Sequence, residues 1–269
     1  MMSRLLRYLV KGAAALTLGA LSLIVGYILY RGVPHLRPDL FAMQYTTQNV
    51  SMLPAIVTTL IMTVVSLFIS VPLGVFAAVY LVEYAKRGSR LVAVIRVTAE
   101  TLSGIPSIIY GLFGLLFFVT ALKMGFSILA GALTLSIMIL PLILRTTEEA
   151  LQAVPDLYRE GAFGLGAGRL RTVFRIVLPS AAPGILAGVI LAVGRIVGET
   201  AALIYTAGTV ADFPKGLLSS GRTLSVHMFA LSSEGLYVDQ AYATAVVLLI
   251  VVFAINALSG FIAKRIAKG

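Results

Sequence analysis

The chain has 269 residues, of which 59% are hydrophobic and only 12% charged, and its mean hydropathy is +1.00. A soluble domain of this length cannot bury that much apolar surface, so the composition excludes one and predicts membrane-spanning helices of about 20 residues each. The net charge of +10 is spread over short segments, which argues against a nucleic-acid surface, and the lack of cysteine excludes a disulfide scaffold.

Six apolar segments predict an all-α, polytopic membrane protein with six transmembrane helices. They cover approximately 9–30, 50–82, 105–122, 126–144, 185–205 and 241–262. The first segment follows Arg4, Arg7 and Lys11, as in a cleaved signal peptide, but its apolar stretch is longer than a typical signal core. We therefore expect this helix to be retained. We divide the chain into an N-terminal helix with its outer loop, 1–49, and a core domain, 50–269.

The distribution of positive charge predicts the orientation. Between the apolar segments, Lys and Arg number 15 on the side of the termini and 5 on the opposite side. Loops rich in Lys and Arg remain in the cytoplasm. Both termini and the 145–182 loop are therefore predicted to be cytoplasmic.

The second segment carries four small hydroxyl side chains at helical spacing. They are Thr59, Thr63, Ser66 and Ser70. Spacings of three and four residues place them on one helix face. Two interpretations stay open: a seam of small residues that packs against another helix, or a polar wall that lines a solute path.

The third segment opens at Ser103, with Pro106 and Ser107 in its first turn. Proline suits the first turn of a helix, and Ser103 is a candidate N-cap. A helix that begins inside the membrane directs free N–H groups at an anion, so Ser107 is a candidate pathway residue. The alternative is an ordinary helix start at the membrane interface.

The 145–182 loop is predicted to form short helices. Thr146 to Glu149 fits a capping box, and Pro155-Asp156 suits the start of a second helix. Gly166, in a cluster of glycines, is predicted to end that helix in a left-handed conformation. A third piece, 169–178, is predicted to stop at Pro179. The loop could form a compact knob or an amphipathic helix on the membrane surface, and the six motif positions described below favour the knob.

The fifth segment contains a charged pair, Arg195 and Glu199, four residues apart and so predicted to share one helix face. An arginine in mid-membrane costs roughly 2.5–3.5 kcal/mol even on lenient scales, so it needs a partner or water. The pair is either a structural ion pair or a site where the planar guanidinium meets an oxyanion. Gly184 with Gly188, and Gly194 with Gly198, are spaced for close helix approach.

One loop motif resembles the EAA loop of ABC-importer permeases, which the ATP-hydrolysing subunit grips. The matching positions are Glu160, Ala162, Gly166, Ile176, Leu178 and Pro179. Gly161 departs from the usual alanine. The resemblance implies that another polypeptide hydrolyses ATP, and the sequence contains no Walker A motif of its own.

A second resemblance, from about residue 50 onward, is to PstA-type permease subunits of the high-affinity phosphate importer. It is carried by the segments around Gly104-Ile105-Pro106-Ser107, Arg145-Thr146-Thr147-Glu148-Glu149 and Gly194-Arg195 with Gly198-Glu199-Thr200. This implies a type I importer permease in the bacterial inner membrane, with Arg195 and Glu199 at positions implicated in phosphate passage. The stretch from Ser225 to His227 departs from the expected pattern.

The same resemblance implies the partners: a PstC-like second permease, ATP-binding cassette subunits and an extracytoplasmic phosphate-binding protein. No cofactor is expected on this chain, since ATP is bound by a partner. Rival functions are a sulfate or molybdate permease and, from another class, an ion-driven carrier. An intramembrane enzyme is a weaker alternative, because the predicted spans contain neither paired acids nor a Ser–His arrangement that could support catalysis. His35 and His227 are expected to be interface residues.

Overall fold

The computed structural model describes residues 2–86 and 88–266, and the side chains of 6–86 and 88–261. Its α-helices are α1 Met2–Gly32, α2 Leu53–Val79, α3 Arg90–Ser103, α4 Ser107–Gly114, α5 Ile128–Gln152, α6 Asp156–Gly164, α7 Arg169–Thr172, α8 Leu178–Gly198, α9 Ala201–Ile204, α10 Leu224–Glu234 and α11 Val238–Ile266. Short 3-10 turns occupy Val33–His35 and Pro38–Phe41, and wider π turns occupy Tyr80–Tyr84, Leu115–Ala121 and Val173–Val177. The described residues contain no strand, which confirms the all-α prediction.

Five helical segments are long and apolar enough to cross a membrane. They are Leu6–His35, Leu53–Tyr84, Ile128–Gln152, Arg169–Gly198 and Val238–Phe261. A sixth span results if Arg90–Ser103 and Ser107–Ala121, which meet at an angle of 101°, count as one broken span. The third segment therefore begins earlier than its apolar stretch suggested, and Ser103 ends α3 instead of capping α4.

The centre of the bundle is α5, which packs against α2 on one side and α8 on the other. Leu135, Met138 and Ile139 of α5 are fully or almost fully buried, and they pack with Met62 of α2 and Ile196 of α8. Because apolar surface surrounds α5 inside the chain itself, this helix is the rigid element on which the others are arranged.

Two glycines allow α5 and α8 to approach closely. A Cβ at Gly188 would overlap the Thr146 hydroxyl, and one at Gly184 would lie 2.7 Å from the Ala150 Cβ. The predicted close approach is confirmed for this pair. Among the described residues no helix approaches Gly194 or Gly198, where an added Cβ would meet nothing within 4 Å.

The first helix packs mainly on the last. The Tyr27 and Tyr242 rings meet edge to face, with centroids 5.8 Å apart, and the Gly32 backbone approaches the Tyr242 carbonyl directly. Arg31 adds an ion pair to Asp239 at 3.4 Å. Most of α1 is exposed, which leaves its apolar surface to lipid or to another subunit.

The 145–182 segment corrects two sequence predictions. Thr146 to Glu149 are no capping box, because α5 continues through them to Gln152. Pro179 does not stop the third piece, because the helical segment Arg169–Gly198 continues through it into α8. The π turn just before it joins α7 to α8 in one continuous helical segment.

The glycine contact between α5 and α8 generates a stability prediction. Gly188→Ala should lower the melting temperature of the purified chain in detergent, with about 1–3 kcal/mol lost to overpacking against Thr146. Gly194→Ala, in the same helix with open space at its Cβ, should leave the melting temperature unchanged or raise it. Equal shifts for the two variants would contradict this packing.

Candidate functional site

Arg195 lies at the inner end of a cavity of about 700 Å³ between α3, α5 and α8. The side chains that line it include Arg96, Glu100, Ser103, Leu142, Arg145, Glu148, Glu149, Gln152 and Arg195. Pro141, which also lines it, lies in the middle of α5, about 16 Å from Gln152 by the rise of a helix. The cavity therefore runs from the Gln152 end of the bundle to half its depth.

The charges in this cavity are compensated unevenly. Arg96 pairs with Glu148, and the Arg145 Nε donates to Glu149 at 3.0 Å. Within the described residues the Arg195 side chain makes neither a hydrogen bond nor an ion pair, and it lines the open cavity. Arginine presents five N–H donors in a planar fork. The inner end of the cavity therefore offers a free, bidentate anion-binding group.

The structure corrects the predicted pairing of Arg195 with Glu199. The α8 helix ends at Gly198, and Glu199 has an extended backbone, so the two side chains do not share a helix face. The Glu199 carboxylate instead accepts from the Ala202 N–H at 3.0 Å, and its carbonyl accepts from Ser225 at 2.6 Å. Glu199 therefore caps α9 and ties it to α10, away from the Arg195 cavity.

The hydroxyl face of α2 packs inside the chain, where Ser66 bonds α5 and Thr59 accepts from the Leu224 N–H of α10. Thr59, Thr63, Ser66 and Ser70 are all buried inside the chain. The Ser66 hydroxyl donates to the Ala132 carbonyl, and Ser136 donates to the Ser66 carbonyl, each at 3.2 Å. In this conformation the face is the packing seam, the first of the two interpretations. Ser107 begins α4, is half-buried, and is not among the residues that line the Arg195 cavity.

Residues 156–177, here called the knob, project from the Gln152 end of the bundle. Within it, α6 ends in a Schellman motif, in which the Ala167 N–H bonds the Ala162 carbonyl and the Gly166 N–H bonds the Phe163 carbonyl. Gly166 has a φ of +81°, which confirms the left-handed conformation predicted for it. Glycine is favoured here because the conformation is strained for residues with a side chain.

The knob combines a buried anchor with an exposed apolar surface. Within the knob, Ala162 is buried, Ile176 is half-buried and Glu160 is exposed. Of the two motif residues that follow the knob in α8, Leu178 is half-buried and Pro179 is exposed. Exposed apolar side chains accompany them: Leu157, Tyr158, Phe163, Leu165, Leu170 and Phe174. Leu165 is 91% exposed. A soluble surface seldom exposes so many large apolar side chains within one short segment, so they indicate a face that binds another protein or the membrane.

Helix α10 contains a buried histidine, His227, which the sequence predicts to be an interface residue. His227 has no exposed surface, and the Tyr45 ring packs edge-on against it. Burial, reinforced by the nearby charge of Arg222, lowers the pKa of His227 to about 3. The interface interpretation is wrong for His227 within this chain, because its imidazole is a neutral part of the core.

Two acidic side chains of the cavity, Glu148 and Glu149, are not among the site residues that the sequence predicts. The capping-box pattern conceals them, although each lies three or four residues from Arg145 or Gln152 on a continuous helix. A charge spacing of four residues between Arg145 and Glu149 was the available signal.

Comparison with known proteins agrees with this architecture. Residues 70–269 match the family model described as binding-protein-dependent transport system inner membrane component. A probable ABC transporter permease protein, YqgI of Bacillus subtilis, is 36% identical over 76% of this chain and 74% of its own length. The phosphate transport system permease protein PstA of Pasteurella multocida is 34% identical over 91% of this chain and 92% of its own.

Solved structures share the fold at lower identity. A chain of a bacterial alginate ABC transporter, in complex with an alginate pentasaccharide-bound periplasmic protein, superposes with a TM-score of 0.70. The superposition covers 100% of this chain and 98% of that chain at 17% identity. An inward-facing MetNI methionine ABC transporter gives a TM-score of 0.60, covering 89% and 96% at 19% identity. The architecture is that of a type I ABC-importer permease, and the chain belongs to the family of binding-protein-dependent transport system inner membrane components.

Proposed function

We propose that this chain is a permease subunit of an ATP-driven importer of inorganic phosphate, in which it forms half of the translocation pathway. The observation that carries the proposal is the unpaired Arg195 guanidinium at the inner end of a cavity of about 700 Å³. A bidentate guanidinium suits the oxygens of phosphate. The PstA proteins among its relatives, which include that of Mycobacterium tuberculosis, support phosphate as the anion.

The partner subunits of the importer are proposed from the surfaces that this chain leaves exposed. A second permease, similar to PstC, would complete the pathway against the open faces of α4 and of α8 around Gly194. A separate ATPase subunit, which binds the ATP, would dock on the exposed apolar face of the knob. An extracytoplasmic phosphate-binding protein would deliver the anion at the opposite end. The positive-inside distribution supports a cytoplasmic knob and cytoplasmic termini.

Reconstitution of the chain with these partners in liposomes tests the function. Phosphate should stimulate ATP hydrolysis and accumulate in the liposomes, and sulfate and molybdate should do neither. A guanidinium alone does not distinguish these tetrahedral oxyanions, so stimulation by sulfate or molybdate instead would transfer the proposal to that anion. Anion uptake without the ATPase subunits would favour an ion-driven carrier.

Arg195→Gln should abolish phosphate uptake while the complex still assembles, because the amide offers no charge and no fork. Arg195→Lys should restore only part of the uptake, since a point charge cannot bind two oxygens at once. Arg145→Gln is the matched control, because Arg145 lines the same cavity but is already paired with Glu149. If Arg195→Gln took up phosphate as well as the control does, the proposal that Arg195 binds the translocating anion would be contradicted.

Glu199 is predicted to act on stability through its cap. Glu199→Ala should lose about 0.5–2 kcal/mol of the free energy of unfolding, the usual loss for a helix cap. Glu199→Gln keeps an acceptor oxygen and should retain most of that stability. Thermal unfolding in detergent distinguishes a capping role from a counter-charge role. If Glu199 served as the counter-charge of Arg195, both substitutions would remove the charge and would lower the stability equally.

Gly166→Val should weaken coupling between ATP hydrolysis and uptake. A β-branched side chain at a φ of +81° is strained by about 1–2 kcal/mol and would tilt the end of α6. Gly161→Ala, whose Cβ would meet nothing within 4 Å, is the control and should behave as the parent. The measurement is phosphate accumulated per ATP hydrolysed, and a parent-like ratio in Gly166→Val would exclude the knob as the transmitting element.

A further inference from the structure

A buried ion pair connects the knob to the end of α2. The Arg159 Nη2 lies 2.7 Å from the Glu83 Oε1, and the Arg159 Nε lies 3.1 Å from the same oxygen. Their side chains are only 15% and 8% exposed. Arg159 belongs to α6, whereas Glu83 lies in the π turn that follows α2. Two donors on one carboxylate fix the direction as well as the distance between the two segments.

The same guanidinium holds the end of α5. Its Nη1 donates to the Val154 carbonyl at 2.8 Å, and its Nη2 donates to the Leu151 carbonyl at 2.9 Å. These carbonyls belong to the last turn of α5 and the residues after it, where helix carbonyls lack partners within the helix. One side chain therefore joins α2, α5 and the knob.

Among the described residues, the ion pair of Glu83 is with Arg159 alone. Lys86, Arg96 and Arg169 line the same surface cavity without forming an ion pair to Glu83, and Arg96 pairs with Glu148 instead. Removing one partner of a buried ion pair leaves an uncompensated charge, which is strongly unfavourable. The structure therefore places Glu83 where its carboxylate depends on Arg159.

The apolar contacts beside this pair do not have its directional character. An apolar cluster connects the end of α2 to the knob and the start of α8: Ala78, Val79, Leu151, Val154, Val173, Val177 and Ala181. Apolar contact is non-directional, so small side chains such as these resist separation more than they resist sliding. The directional contacts that oppose a rotation of the knob relative to α2 are this buried ion pair and the more exposed Arg169 guanidinium, which lies 5.1 Å from the centroid of the Tyr84 ring.

We infer that Glu83 and Arg159 are positioning residues that transmit displacement of the knob to α2, and through α2 to the helices around the Arg195 cavity. This inference rests on the proposed function, because the displacement arises from an ATPase subunit docked on the knob. The rigid seam between α2 and α5 carries the movement onward. Neither residue touches the solute.

The test is phosphate accumulated per ATP hydrolysed in the reconstituted complex. Glu83→Gln keeps the shape of the side chain and removes its charge, and it should lower this ratio at least fivefold. The ATPase subunit should still copurify, and ATP hydrolysis should continue. Asp156→Asn is the matched control, since Asp156 contacts the same Arg159 but is 78% exposed, and it should keep the parent's ratio.

Arg159→Lys provides a second, milder variant that keeps the charge and loses the fork. It should fold and still lower the ratio, and it decides the question if Glu83→Gln yields no folded complex. A parent-like ratio in Arg159→Lys, or in a folded Glu83→Gln, would overturn the inference. A parent complex that shows no phosphate-dependent uptake would instead contradict the proposed function.

Discussion

A guanidinium group at the middle depth of a membrane protein requires a counter-charge or water, and this requirement organises the bundle. Burying Arg195 in lipid would cost roughly 2.5–3.5 kcal/mol even on lenient scales. The fold avoids that cost by keeping a cavity open between α3, α5 and α8, while it pairs the other two cavity arginines with carboxylates. The proposed function explains why Arg195 alone among these arginines is left without a carboxylate partner, because a translocating anion would bind it there.

The helices around Arg195 are held against one another, and these contacts fix the walls of the cavity. Close contact at Gly188 fixes α8 against α5, and the buried hydroxyl face of α2 fixes α2 against the opposite side of α5. A cavity bounded by rigid elements changes shape when those elements move as bodies. The knob is joined to α2 and α5 through Arg159. The surface proposed for the ATPase is therefore connected, through these helices, to the cavity proposed for the anion.

The sequence predicted features that depend on local chemistry. Apolar length predicted the spans, and the glycine at the end of α6 predicted its left-handed φ, because each depends on a few neighbouring residues. Prediction from the sequence failed where the position of a side chain depends on tertiary contacts. The helix end at Gly198 moved Glu199 away from Arg195, although spacing alone placed them on one face. The hydroxyl face of α2 has the same pattern whether it meets water or a helix, so its burial required the structure. The pair of Glu83 with Arg159 joins residues 76 positions apart and gives no signal in spacing.

The most direct test of the account is protection of the Arg195 cavity by its anion. The chain contains no cysteine, so Ser103→Cys, which lines the cavity, provides a single reactive thiol. Its labelling by a membrane-impermeant thiol reagent applied on the knob side should slow when the reconstituted complex imports phosphate. The slowing should disappear in the Arg195→Gln background. Labelling that is equally fast with and without phosphate in the working Arg195 complex would contradict the claim that the anion passes through this cavity.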